Sequence, residues 1–250
     1  MAAHTPMLQR QLYDLQAERD PQTGCEQSTP VGERDRQLID WLREHLPAAP
    51  TAKLQIVELG CGDGSLSLEL SRALSAKVLG IDLASAHVER ARQRAGDSSN
   101  LEFRVLNLDG ELSSLESESA DVVVSLDVLE HVFDVFGFVE QIARVLRPGG
   151  IAALRVPNIA YLKHRVSLLR GTLPVTSSWF GPSGELEAWR TKWGWDGGHL
   201  HYFTLETLRD LLLGAGLSPL GFRDPGARLE QLRRLAPALL AGNLAVLARK

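Results

Sequence analysis

Apolar and polar residues follow two alternating patterns from residue 53 onwards. Short apolar runs predict buried strands, and segments whose apolar residues recur every three or four positions predict the helices between them. The strand segments are KLQIVELG (53–60), KVLGID (77–82), LEFRVLNL (101–108), DVVVSL (121–126) and IAALRVPN (151–158). The helix segments are SLSLELSRAL (65–74), 84–94 and 132–146, the last ended by RPGG. Strands that alternate with helices predict right-handed crossovers and a doubly wound, mainly parallel sheet.

The ends of the chain complete this predicted architecture. Residues 34–46 predict a helix that the prolines at 47 and 50 end. TLETLRDLLLGAG predicts a late helix, with Thr204 as its N-cap and Gly214 or Gly216 near its end. LSPLGFRD and NLAVLARK predict a closing pair of strands, of which the last can run antiparallel. The expected fold is therefore an α/β, Rossmann-like sheet of seven strands with helices on both faces.

The alternation is lost after Asn158 for about forty residues, and irregular segments of this length usually carry function. We expect an N-terminal helical or lid segment over residues 1–50 and one domain over 51–250. Within that domain, the insertion 159–200 after the fifth strand is expected to form a lid. The first thirty residues have two interpretations, a lid over the pocket or the arm of a homodimer.

Composition excludes several classes of protein. With 250 residues and 44% apolar content, the chain can bury a sizeable core. A net charge of −4 gives no general reason to bind nucleic acid. Two cysteines do not make a disulfide framework, and neither a signal core nor an apolar run of membrane-spanning length is present. The prediction is a soluble cytoplasmic protein with no membrane or nucleic-acid partner.

Candidate chemistry begins where the first strand runs into VELGCGDGSLS. Gly60, Gly62 and Gly64 lie at the strand-to-helix turn, where the backbone turns tightly and can approach a ligand closely. A dinucleotide fingerprint would place its third small residue at position 65, which is Ser65. The carboxylate of Glu58, two residues before the first glycine, would repel a pyrophosphate and favour an ammonium or sulfonium ligand. These residues disfavour NAD.

Two polar residues end the next strands. Asp82 ends the second strand, where an acid can accept hydrogen bonds from both hydroxyls of a ribose. Its alternative role is to cap the following helix, which Ser85 could also do. Asn107 ends the third strand, where it could bond an adenine edge with the Leu108 amide beside it. A turn role for Asn107 is an equal alternative.

These motifs resemble those of class I S-adenosylmethionine-dependent methyltransferases. The resemblance runs from about residue 54 to 158 and rests on E-x-G-x-G-x-G, Asp82, DVVVSLDVLEHV and LRPGGIAALRVPN, in this order. It implies S-adenosylmethionine as cofactor and S-adenosylhomocysteine as product. By this resemblance, Glu58 and the glycine loop would hold the cofactor's methionine part, and the segment 125–131, beginning with Ser125, would lie along it. Asp82 would bind the ribose, and Asn107 with Leu108 the adenine. Position 107 is commonly Asp in that family, and Asn keeps the acceptor oxygen. The implied cofactor-binding set is Glu58, Gly60, Cys61, Gly62, Gly64, Asp82, Leu83, Asn107, Leu108 and Ser125.

Methyl transfer needs an acceptor aligned with the methyl group and, for a hydroxyl acceptor, a group that takes its proton. Histidine titrates near working pH, so His131, His199 and His201 are the candidate bases. The alternative for His131 is a structural role at a helix start. In HLHYF the two histidines would share one face of an extended segment, and Leu200 and Tyr202 the other. No third metal ligand is evident beside that pair, so no metal site is predicted.

Four of the five tryptophans fall between residues 177 and 204. Because the segment after the fifth strand would pass over the methyl group, these side chains could enclose the acceptor and exclude water. The alternative is a small separate core on the domain surface. The predicted substrate-binding residues are Trp179, Trp193, Trp195 and Tyr202, with Trp189 nearby.

The leading functional hypothesis is methyl transfer to an oxygen or nitrogen of a small-molecule metabolite. One alternative is a companion of a biosynthetic enzyme with little activity alone, since RVSLLRGTLPVT (165–176) resembles a segment of the methionine-biosynthesis protein that accompanies homoserine acyltransferase. A nucleic-acid methyltransferase is disfavoured because SLDVLEH stands where an N/D-P-P-Y motif is usual. A protein-arginine methyltransferase is disfavoured because only Glu130 is present where two glutamates would be expected.

Overall fold

The computed structural model describes residues 31–47, 52–176, 198–225, 233 and 235–250, and within them seven strands form one sheet. The strands are β1 (Gln55–Leu59), β2 (Lys77–Asp82), β3 (Leu101–Val105), β4 (Ala120–Leu126), β5 (Leu146–Pro157), β6 (Ser218–Arg223) and β7 (Asn243–Arg249). The described helices are α1 (Glu33–His45), α2 (Ser65–Leu74), α3 (Ser85–Ala95), α4 (Val135–Val145), α5 (Leu162–Leu169), α6 (Leu205–Gly214) and α7 (Pro237–Leu240), with a 3₁₀ turn at Leu112–Ser114.

The strand order is β3-β2-β1-β4-β5-β7-β6, and β7 runs antiparallel to both of its neighbours. The predicted seven-stranded, mainly parallel sheet is therefore confirmed, including the antiparallel last strand. Strands β2 and β3 lie on one side of β1 in the sheet, and the chain then crosses back to place β4 and β5 on the other side of β1. This reversal of direction opens a crevice at the carboxyl ends of β1 and β4, where ligands bind in open α/β sheets.

Apolar layers cover both faces of the sheet. Alternation along β1 sends Val57 towards α4 and α6, whereas Ile56 faces α1 and α2. Helix α1 belongs to this second layer, where Trp41 is only 3% exposed. Because helices pack on both faces of the sheet, the strand ends that form the crevice are supported on either side.

The structure corrects three details of the sequence prediction. Helix α4 begins at Val135 rather than 132, because the Asp134 carboxylate accepts the Gly137 N–H and caps the helix there. The RPGG segment belongs to β5, since Gly149 and Gly150 exchange backbone hydrogen bonds with Lys250. The insertion after β5 is not irregular throughout, because it includes α5.

Candidate functional site

The glycine loop is built by backbone contacts with the end of β2. The amides of Gly60 and Cys61 both donate to the Ile81 carbonyl, at 2.7 and 2.9 Å. Gly60, Gly62 and Gly64 have φ of +77°, +52° and +76°. Side chains other than glycine rarely adopt these angles, so the three glycines are required by the loop conformation itself.

Only one of these glycines opens onto empty space. A Cβ on Gly60 would come within 2.3 Å of Val128, and one on Gly64 within 2.8 Å of Ala91. A Cβ on Gly62 would meet no described atom within 4 Å. Gly60 and Gly64 therefore allow neighbouring side chains to pack against the loop, whereas Gly62 is where a ligand can approach the backbone.

Glu58 is a buried acid directly beneath this loop. It shares the α2 face of β1 with Ile56, and its side chain accepts a hydrogen bond from the Ser67 hydroxyl. Burial raises the pKa of Glu58 to about 8, while the Ser67 hydrogen bond opposes the shift. A cationic ligand beside this carboxyl would favour its ionised form and would bind more tightly as a result.

Asp82 holds the loop and faces the crevice. One carboxylate oxygen accepts the Gly62 N–H at 2.8 Å, and the other accepts the Ala84 N–H at 2.9 Å. The His87 ring nitrogen lies 3.4 Å from the second oxygen. The alternative role as helix cap is wrong, because α3 has Ala84 as its N-cap and no side chain caps it. Since a carboxylate oxygen has two acceptor sites, the oxygen that accepts the Gly62 N–H can still accept a hydroxyl hydrogen from a ligand.

Asn107 is used as a turn residue. Its side-chain oxygen accepts the Asp109 N–H at 3.0 Å, and its own N–H donates to the Glu111 carboxylate. Leu108 packs partly against the apolar core, and Leu83 is half-buried at the end of β2. The adenine-binding roles of Asn107 and Leu108 stay predictions.

Two further residues of the implied cofactor set are buried. Ser125 is 1% exposed, and its hydroxyl has no hydrogen-bond partner among the described residues. It is paired with Leu59 across β1 and β4, so it lies at the floor of the crevice. Burial raises the pKa of the Cys61 thiol far above its usual range, which keeps that side chain neutral.

A cluster of Glu130, His131 and His199 lies beyond the carboxyl end of β4. The two imidazole centroids are 4.7 Å apart at 71°, and His199 Nε2 lies 4.0 Å from Glu130 Oε1. His131 Nδ1 lies 3.3 Å from the Gly198 carbonyl. His199 Nδ1 lies 2.7 Å from the Thr176 hydroxyl. Sequence reasoning missed Glu130 and Thr176 here, although Glu130 stands directly before His131.

The prediction that Tyr202 lies on the face opposite His201 is wrong. Residues 199–202 do not form a strand, so strict alternation does not apply. His201 and Tyr202 instead line the same 460 Å³ groove, together with Phe136 and Thr207. Residues 177–197, which include Trp179, Trp189, Trp193 and Trp195, lie outside the described residues.

Comparisons with known proteins agree with this geometry. Residues 57–154 match a family described as a methyltransferase domain. This match and the seven-stranded fold support the predicted resemblance to class I S-adenosylmethionine-dependent methyltransferases. Among the described residues, no helix combines the length and apolar character needed to cross a membrane.

Curated relatives with similar sequences are named ubiquinone biosynthesis O-methyltransferases. The Methylocella silvestris protein is 38% identical over 110 residues, which are 44% of this chain and 42% of the relative. The human mitochondrial protein is 31% identical over 136 residues, 53% of this chain and 36% of the relative. The Ruegeria pomeroyi protein is 31% identical over 170 residues, 68% of this chain and 62% of the relative. The chain thus spans less than two thirds of each of these relatives.

Solved structures share the fold at low sequence identity. An S-adenosylmethionine-dependent methyltransferase from Mesorhizobium loti has a TM-score of 0.60 and 23% identity, covering 84% of this chain and 96% of its own. The [4+2]-cyclase SpnF has a TM-score of 0.65 and 19% identity, covering 98% of this chain and 96% of its own. Because neighbours with such different names share the fold, the reaction has to be argued from the site.

Proposed function

We propose that this protein transfers a methyl group from S-adenosylmethionine to an oxygen or nitrogen of a small-molecule acceptor. The observation that carries the proposal is the crevice formed by Glu58, Gly62 and Asp82. It combines a buried acid, an open backbone position and a carboxylate with unused acceptor sites. A ligand with a cationic end and a ribose fits this set. When bound, S-adenosylmethionine supplies a methyl group activated by its positively charged sulfur.

The residues of the crevice have separable roles in this proposal. Glu58 would be ionised by a cationic ligand, since its pKa of about 8 without ligand reflects mainly burial. Asp82 would accept hydrogen bonds from the ribose hydroxyls while it continues to hold the Gly62 amide. Ser125 would donate its buried hydroxyl to the methionine part of the cofactor. The protein's contribution to rate is then mainly alignment, which can lower a barrier by about 7–11 kcal/mol.

Oxygen is the favoured acceptor atom, because the similar curated proteins are named O-methyltransferases. A hydroxyl acceptor loses a proton, and His131 and His199 lie together beyond the carboxyl end of β4, with their ring centroids 4.7 Å apart. These two histidines are therefore the preferred base candidates, ahead of His201 in the neighbouring groove. The names of these relatives give no support to the alternative of a companion protein without its own activity.

The direct test is to incubate the purified protein with S-adenosylmethionine that carries an isotopically labelled methyl group and with fractionated metabolite pools. Mass spectrometry should find a labelled small molecule together with an equal amount of S-adenosylhomocysteine. The Asp82→Asn variant serves as the matched negative control. If S-adenosylhomocysteine binds in calorimetry and no pool yields a labelled product, cofactor binding stands and the proposed transfer does not.

A further inference from the structure

One guanidinium joins three elements at the crevice edge of the sheet. Arg155 lies near the end of β5, and its side chain is only 13% exposed. Its Nε and Nη2 atoms donate to the Asp127 carboxylate at 3.0 and 2.6 Å, and its Nη1 atom donates to Asp35 at 2.6 Å. Asp127 directly follows β4, and Asp35 lies in the first turn of α1. A residue of β5 therefore links the first residue after β4 to the start of α1.

The backbone of Asp127 has a conformation that needs support from its surroundings. Its φ is +57°, in the left-handed region, and among the described residues other than glycine only Ser75 and Glu118 also have positive φ. This conformation is unfavourable for a residue with a Cβ and persists where neighbouring contacts determine it. Arg155 supplies contacts of two kinds, because its carbonyl also accepts the Asp127 N–H at 2.9 Å.

Asp127 begins a short turn, residues 127–131, that contacts both parts of the site. Val128 lies directly over Gly60, where a Cβ on the glycine would collide with it. At the other end of the turn, the His131 N–H donates to the Val128 carbonyl at 2.8 Å. The direction in which the chain leaves β4 at Asp127 therefore determines where His131 lies.

We propose that Arg155 is a positioning residue, which holds Asp127 in the left-handed conformation and thereby fixes the 127–131 turn. Arginine suits this role because its planar guanidinium presents several N–H donors in fixed directions and can bond two carboxylates at once. The effect on the turn follows from these contacts alone. The effect on methyl transfer rests on the proposed function, because it requires His131 to act on the acceptor.

The contact with Asp35 connects the same turn to α1. By bonding Nη1, Asp35 restricts rotation of the guanidinium and keeps Nε and Nη2 directed at Asp127. Asp35 also lies close enough to Glu58 to act on it. Burial is the main cause of the raised pKa of Glu58, and the carboxylates of Asp82 and Asp35 raise it further. The start of α1 is therefore linked to both sides of the crevice.

Two replacements of Asp127 separate backbone conformation from loss of charge. Asp127→Gly and Asp127→Ala both remove the carboxylate that Arg155 bonds, but glycine adopts positive φ readily and alanine does not. Hydrogen exchange of the amides at positions 127 and 131, followed by NMR without ligand, reports how firmly the turn is held. We expect protection to fall roughly tenfold in Asp127→Ala and in Arg155→Gln, and by less than about threefold in Asp127→Gly.

A double variant and a matched control complete the experiment. Arg155→Gln added to Asp127→Gly should cause no further loss of protection, because glycine does not need the support that Arg155 gives. Arg147→Gln is the control, since Arg147 bonds Asp121 at 2.7 Å at the other end of β5, and it should leave protection at positions 127 and 131 unchanged. The Lys77 amide, which donates to a backbone carbonyl at the start of β2, reports overall stability.

Equal losses of protection in Asp127→Gly and Asp127→Ala would overturn the proposal, since the carboxylate rather than the backbone conformation would then matter. An equal loss at the Lys77 amide would overturn it too, because the variants would then be generally unstable. With the acceptor identified by labelling, kcat should fall roughly tenfold in Asp127→Ala and recover in Asp127→Gly. If the unaltered protein transfers no methyl group, the proposed function fails, and the exchange pattern still decides the role of Arg155.

Discussion

The crevice has two walls that are assembled in different ways. The β1 wall, formed by Glu58, the glycine loop and Asp82, is closed by contacts between neighbouring parts of the chain. Ser67 bonds Glu58 across 9 positions, and Gly62 bonds Asp82 across 20. The β4 wall, formed by Glu130, His131, Thr176, Gly198 and His199, is closed by the His131–Gly198 contact across 67 positions.

This difference separates geometry set by local contacts from geometry that needs distant segments of the chain to meet. The β1 wall lies within one βαβ unit, so its geometry is tied to the fold itself. The methyltransferase-domain match ends at residue 154, before Thr176, Gly198 and His199. The later segments of the β4 wall can therefore change without disturbing the sheet, and acceptor choice is expected to depend on them.

The largest expected effect comes from removing the charge of Asp82 on the β1 wall. Asp82→Asn weakens the acceptor of the ribose hydroxyls and of the Gly62 amide, and hydrogen bonds to charged groups contribute about 1.5–3 kcal/mol each. We expect the Kd for S-adenosylhomocysteine, measured by calorimetry, to rise by about 100-fold.

Asp121→Asn makes the same chemical change at the other end of the sheet, where Asp121 bonds Arg147 and the Gln55 amide. It should leave the affinity for S-adenosylhomocysteine unchanged. Equal losses in the two variants would mean that the effect is on folding rather than on the β1 wall.

A substitution in the β4 wall should lower turnover and leave cofactor affinity unchanged. His199→Gln removes an imidazole that contacts Thr176 and His131, and loss of a general base lowers turnover by roughly 100-fold or more. The Kd for S-adenosylhomocysteine should not change. The measurement is turnover of the acceptor identified by labelling, alongside calorimetry. A variant that lost cofactor affinity and kept its turnover would refute the division into two walls.

A smaller effect concerns the pH dependence of cofactor binding through Glu58. Burial raises its pKa to about 8 in the free protein, so the group is protonated at neutral pH. A cationic ligand favours the ionised form, and binding must therefore release a proton below pH 8. Affinity for S-adenosylmethionine should rise by up to about tenfold per pH unit between pH 6 and pH 8 and then level off.

Calorimetry in buffers with different ionisation enthalpies should count the released proton directly. Glu58→Gln should abolish the slope, because an amide does not titrate in this range. A slope that persists in this variant would show that another group is responsible, and the role of Glu58 would have to be abandoned.

The same division explains what the sequence could predict. The strands, α2 and the glycine loop follow from periodicity and from local turn chemistry, so their positions were predicted to within a few residues, except that β5 begins at Leu146 rather than 151. The Glu130–His131–His199 cluster depends on how segments far apart in the chain meet, which periodicity does not encode. The opposite faces predicted for His201 and Tyr202 failed for this reason, since alternation holds only where residues pair as a strand.

The smallest expected effect comes from Asn107, where the sequence left two roles open. Its side-chain oxygen holds the Asp109 amide, and the Glu111 carboxylate accepts its backbone N–H. An aspartate here would keep the acceptor oxygen but would place a third carboxylate beside Asp109 and Glu111. Asn107→Asp should therefore change the Kd for S-adenosylhomocysteine by less than about fivefold, which is within ~1 kcal/mol.

Asn107→Leu removes the acceptor of the Asp109 amide and should lower the free energy of unfolding by about 1 kcal/mol, measured by urea denaturation. If this variant keeps its stability and loses only cofactor affinity, Asn107 acts on the ligand rather than on the turn. If both stability and affinity fall together, the turn is what positions the Leu108 amide. The β1 wall would then extend, through local contacts alone, as far as the end of β3.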